Sequence, residues 1–113
     1  MQSPLARRLV ALAVMLLAAV FEVGGDALIR AGLRGRGWLS CAIGAGILAA
    51  YGLVINLIPM DFSKLFGSYV AFFAIVSITA GRIAFREPLH ASTWVGLGVI
   101  LIGSAIVQFS AVP

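Results

Sequence analysis

Four long apolar runs, each close to the length of a bilayer crossing and each ended by arginine, lysine, glycine or proline, constrain this chain more than any other feature. A membrane-spanning helix needs about 20 predominantly apolar residues. The runs cover residues 9–29, 38–58, 64–85 and 94–109, and the connections between them are short. Hydrophobic residues make up 62% of the 113 and charged residues only 11%, against about a quarter charged in soluble domains. The expected fold is therefore all-α: one four-transmembrane-helix bundle over residues 1–113, with short loops and no room for a soluble domain.

The net charge of +4 does not point to nucleic acid. All eight basic residues stand near the ends of apolar runs, where Arg and Lys snorkel to phosphate head groups. Arg7-Arg8 ahead of an apolar run has the form of a signal peptide, but the run continues through Glu22 without a small-x-small cleavage site and reads as a first span. The single Cys41 rules out an intrachain disulfide and a cysteine-rich metal site.

The connections carry their own signals. Ala31 to Gly37 is rich in glycine and arginine, as in a tight link between antiparallel neighbours. Trp38 suits an interfacial ring at the head of the second span, and Pro59 closes that span. Met60 to Ser63 reads as a turn, Gly67-Ser68 as a candidate kink, and Ser92 as a candidate cap for the last helix. Arg7, Arg8 and Lys64 fall on the side of the N-terminus, and Arg30, Arg34, Arg36, Arg82 and Arg86 on the other. The richer side belongs in the cytoplasm, which puts both termini outside, although three against five is a small bias.

The first span contains the residues that a bilayer tolerates least. Glu22, Asp26 and Arg30 are four apart, so on a helix they lie within about 80° of one another. Met15, Ala18, Gly25 and Ile29 fall on the same side. A charged side chain at the centre of a membrane helix costs about 2.5–3.5 kcal/mol on insertion scales, so such groups face a protein interior or a wet cavity. Asp26 reads either as an ion-pair partner of Arg30 near the helix end or as part of a site. Glu22 lies nearly two turns further in and is the candidate for binding a ligand or proton. Desolvation disfavours a carboxylate anion, so a carboxylate in such surroundings can exchange a proton for a cation, which is the physical core of a proton-coupled antiporter.

Other candidates sit around it. Asp61 and Lys64 read as a helix-entry pair, or Lys64 belongs to the binding cavity. Tyr51, Phe66, Tyr69, Phe72 and Phe73 form either core packing or a wall that binds cations. Asn56 is placed to bond a neighbouring helix or a substrate, and His90 reads as a solvated loop residue. Gly96 and Gly103, seven apart with Gly98 nearby, make a small-residue seam for a dimer or for packing within the chain. No nucleophile triad, metal-ligand cluster or phosphate-binding glycine loop is visible, so neither an enzyme nor a bound cofactor is expected.

Phe21-Glu22-Val23-Gly24-Gly25 with Leu28-Ile29-Arg30, then Leu57-Ile58-Pro59, then Arg86-Glu87-Pro88-Leu89, and finally the run from Gly96 to Gly103 carry a resemblance. Together they resemble the small multidrug resistance family, a four-span branch of the drug/metabolite transporter superfamily. The resemblance covers Ala18 to Val107. It implies a homodimer, often antiparallel, in a bacterial cytoplasmic membrane, with two glutamates sharing one cavity and the proton gradient as energy source. Glu22 would then bind proton and cationic substrate in turn. Where the multidrug exporters usually have a tyrosine and a tryptophan in the third helix, this chain has Lys64 and Gly67, and Asp26 replaces a hydroxyl residue. Lys64 with Tyr69 is also similar to two sister groups: an uncharacterised four-span inner-membrane family and the flippase subunits for lipid-linked aminosugars. In the flippase case Lys64 would contact phosphate. A third expectation, from a different class, is a non-transporting accessory protein whose Glu22 pairs with a basic residue of a partner.

Overall fold

The structure of the chain is a computed structural model and describes residues 3–109. It contains four α-helices, α1 (Pro4–Ala31), α2 (Trp38–Ile55), α3 (Phe62–Ala84) and α4 (Ala91–Phe109), and no strand among the described residues. All four are long and apolar enough to cross a membrane. Even α2, at 18 residues, reaches about 27 Å at 1.5 Å per residue. The helices form two hairpins, one within Met1–Pro59 and one within Met60–Pro113.

In the first hairpin, Ser3 caps α1 by accepting the Ala6 amide at 3.0 Å, and Pro4 occupies the first helical position, where its missing N–H costs nothing. The helix therefore begins ahead of the apolar run that starts at Leu9. At its other end α1 passes into a π-type turn over 32–36, and the chain reverses through Gly35 (φ 124°) and Gly37 (φ 106°), a backbone region that glycine alone enters readily. The two helices then meet through glycine. A Cβ on Gly25 would lie 2.9 Å from the Gly44 carbonyl oxygen, and one on Gly44 would lie 2.5 Å from that of Gly25. Nearer the turn, Ser40 Oγ donates to the Leu28 carbonyl at 2.7 Å and Cys41 Sγ to that of Ile29 at 3.6 Å.

The second span ends earlier as a helix than its hydropathy indicates, at Ile55 rather than Ile58. Pro59 disfavours the helical conformation in the residue before it. The chain tightens instead, Leu57 N–H donating to Val54 and Ile58 N–H to Ile55. Asn56 turns back on its own helix, its Nδ2 donating to the Gly52 carbonyl at 2.8 Å.

In the second hairpin α3 starts at Phe62, within the stretch 60–63 expected as a turn, with Asp61 as its N-cap residue. The Asp61 carbonyl accepts the Leu65 amide at 2.8 Å, and its side chain makes no cap hydrogen bond. The helix is continuous through Gly67-Ser68, and these two residues serve packing. A Cβ on Gly67 would lie 2.6 Å from Val107 Cγ1, and Ser68 Oγ donates to Gln108 Oε1 at 2.6 Å with both residues buried. At the end of α3 the Gly81 carbonyl accepts both the Phe85 and the Glu87 amides, and Arg86 takes φ 54°. Helix α4 starts at Ala91, so Ser92 lies inside its first turn and is not the cap. Exposed His90 accepts the Thr93 amide through its carbonyl.

Candidate functional site

Glu22 lies eight residues before Arg30, about 12 Å along the helix axis, in a hydrocarbon core about 30 Å thick. It is half-buried, and with Arg30 at a membrane surface that distance would bring it close to the middle of the core. Covered residues flank it on α1: Met15 is 0% exposed, Ala18 1% and Ala19 0%, and Val23 and Gly25 are buried. At Gly25, about one turn after Glu22, the α2 backbone passes close at Gly44. The crossing at Gly25 fixes the helix that carries the carboxylate.

Asp26 and Arg30, on the same stripe, are both exposed. Tyr51 is half-buried on α2 and also belongs to the first hairpin, while Lys64 and Tyr69 belong to the second.

On α3 four aromatic rings form a ladder. Phe62 and Phe66 have centroids 4.8 Å apart, Phe66 and Tyr69 meet edge to face at 6.3 Å, and Tyr69 and Phe73 follow at 6.3 Å. The spacing of these positions puts them on one face. The ladder shares Phe66, Tyr69 and Phe73 with the expected aromatic wall and adds Phe62. Lys64, half-buried in the first turn of α3, falls on the opposite side of that helix by its spacing. Lys64 and Tyr69 therefore do not form one surface on α3.

The glycines of α4 are open. A Cβ on Gly96, Gly98 or Gly103 would meet nothing within 4 Å; Gly96 and Gly103 share one exposed face of α4, and half-buried Gly98 lies on another. Among the described residues no three His, Cys, Asp or Glu side chains come together to hold a metal ion.

A membrane helix with a half-buried carboxylate among small residues can bind a proton or a cation. The comparisons with known proteins bear on whose chemistry that is. A family model described as "Uncharacterised BCR, YnfA/UPF0060 family" matches residues 8–112. The chain belongs to the YnfA/UPF0060 family. Among its UPF0060 relatives, a membrane protein of Rhodococcus jostii is 31% identical over 102 residues, 87% of this chain and 92% of its own. One from Streptomyces coelicolor is 34% identical over 102 residues, covering 87% and 89%. A third, from Mycolicibacterium gilvum, is 34% identical over 103 residues, covering 86% and 92%. No solved structure matches. With its four spans and bacterial relatives, this UPF0060 chain is a multi-pass bacterial membrane protein.

Sequence reasoning singled out Glu22 but missed the residues that hold its helix, Gly44, Ser40 and Cys41, and the buried partner of Ser68, Gln108. A polar side chain within an apolar span is itself a signal, and Gln108 carries it.

Proposed function

We propose that this UPF0060 protein is a small transporter that exports small or hydrophobic cationic compounds in exchange for protons, with Glu22 as the shared proton and substrate site. The observation that carries the reading is the half-burial of Glu22 within the apolar run of α1, eight residues inside Arg30. A carboxylate in an apolar span is costly unless it is paired, faces a wet cavity or takes an occupant, and a proton or a cation is an occupant that neutralises it. Asp26 supplies a second carboxylate one turn towards the membrane surface. Tyr51, half-buried on α2 of the same hairpin, supplies an aromatic contact. The working unit is a homodimer in the cell inner membrane, often antiparallel in the resembling family, joined along Gly96, Gly98 and Gly103. The open space beside these three glycines supports the seam, because small residues let helix backbones approach closely in lipid.

The test is transport into proteoliposomes under an imposed proton gradient. Glu22→Gln is expected to abolish proton-coupled flux while leaving the oligomeric state unchanged, and retained coupled flux would end the proposal. The half-burial of Lys64 in the first turn of α3 supports a second reading, a flippase subunit for polyprenyl-phosphate-linked sugars in which Lys64 contacts the phosphate. Loss of activity in Lys64→Ala together with tolerance of Glu22→Gln would select it.

A further inference from the structure

We infer that the turn between α1 and α2 is a binding site for the head group of an anionic phospholipid, with Arg34 and Arg36 on the phosphate and Leu33 and Trp38 seated at the acyl boundary. Three observations carry this beyond the general tendency of membrane arginines to snorkel.

The turn is held in one shape. Gly37 N–H donates to the Gly32 carbonyl at 3.2 Å, and Ser40 and Cys41 tie the start of α2 to the carbonyls of Leu28 and Ile29. Gly32 has no room for a side chain, since its Cβ would lie 2.8 Å from the Gly37 carbonyl oxygen and 2.9 Å from the Cys41 amide nitrogen. Arg34 and Arg36 therefore leave a fixed backbone, so less order is lost when they bind.

The charge is not balanced from within. Arg34 and Arg36 are exposed, and the sequence from Ala27 to Met60 contains no Asp or Glu. A planar guanidinium donates two parallel hydrogen bonds to phosphate oxygens, and the charged surface of an anionic leaflet attracts such groups.

The surroundings fit a lipid and leave it space. Leu33 is 77% exposed and Trp38 79%, an apolar and an aromatic side chain flanking the two cations as at a membrane interface. A Cβ on Gly35 or Gly37 would meet nothing within 4 Å, so the backbone beside each arginine is open to a head group. An anionic phospholipid offers phosphate and acyl chain together, which a free anion does not.

The test measures lipid retained by the full-length protein purified in a non-ionic detergent with equal phosphatidylglycerol and phosphatidylcholine, by mass spectrometry of the intact complex. The wild-type chain is expected to retain phosphatidylglycerol preferentially. Arg34→Gln with Arg36→Gln should lower that retention about tenfold or more and leave phosphatidylcholine unchanged. Arg7→Gln with Arg8→Gln removes the same charge elsewhere and should have little effect; an equal loss there would show a response to net charge and overturn the assignment. Arg34→Lys with Arg36→Lys keeps charge and fold but loses the fork, so retention should fall several-fold, and wild-type retention in that variant would also overturn it. Displacement of the lipid by soluble glycerol phosphate at the same concentration would mean a free-anion site and contradict the lipid.

Discussion

Gly25 and Gly44 face each other across the α1–α2 crossing so closely that a Cβ on either would come within 3 Å of the other's carbonyl oxygen. The contact lies one turn from Glu22 and sets the position of the helix that carries it.

Gly44→Ala should therefore destabilise the protein by about 1–3 kcal/mol, as overpacking does, because its new methyl meets backbone at 2.5 Å and Ile29 Cγ1 at 2.8 Å. Gly24→Ala, with nothing within 4 Å, should be neutral or gain up to about 1 kcal/mol from helix propensity. Thermal unfolding in detergent compares the two, and equal melting temperatures would contradict the crossing.

In the second hairpin the size match between Gly67 and Val107 predicts a rescue. Gly67→Ala meets Val107 Cγ1 at 2.6 Å and should cost about 1–3 kcal/mol. Adding Val107→Ala removes the obstructing methyls. The double variant should recover at least about 1 kcal/mol of that loss, a coupling that a double-mutant cycle on unfolding measures directly.

Ser68→Ala removes the hydroxyl that donates to Gln108 Oε1 and leaves that buried acceptor without it. The expected loss is about 1 kcal/mol, between the penalty for an orphaned buried group in water-soluble proteins and the smaller values measured for interhelical bonds in membranes. Ser68→Ala with Gln108→Leu should be closer to wild type than Ser68→Ala alone in the same unfolding assay.

The sequence made the spans legible because hydropathy over some 20 residues is a local property. It was less exact at helix ends, where a few hydrogen bonds decide: Ser3 and Pro4 start α1 before the apolar run, and the tightened 3-residue bonds after Ile55 stop α2 early. The stripe around Glu22 was also readable, since Met15, Ala18 and Gly25 follow from helical periodicity. The pairing of Gly25 with Gly44 was not. Each is one of 13 glycines, and their meeting depends on how α2 returns along α1. Ser68 and Gln108 are 40 residues apart, and nothing local links them. Gly96, Gly98 and Gly103 are open to two readings, and the space beside them argues against a role in packing α4 on α3.

Arg86 has a left-handed backbone at φ 54°, a conformation that costs a residue with a Cβ about 1–2 kcal/mol. Arg86→Gly should raise stability by about 0.5–1 kcal/mol once the greater freedom of glycine in the unfolded chain is deducted. A lower melting temperature for this variant would mean that the arginine side chain contributes more than the strain it imposes.

The central claim is that Glu22 exchanges a proton for a cation, and the most direct measurement is proton release from the purified, detergent-solubilised protein in weak buffer. Cations, guanidinium compounds and lipid phosphates are added in turn, with Glu22→Gln as control. The account predicts that at least one cation releases protons from the wild-type chain and none from Glu22→Gln. Silence to every cation, or release of equal size from Glu22→Gln, would contradict it.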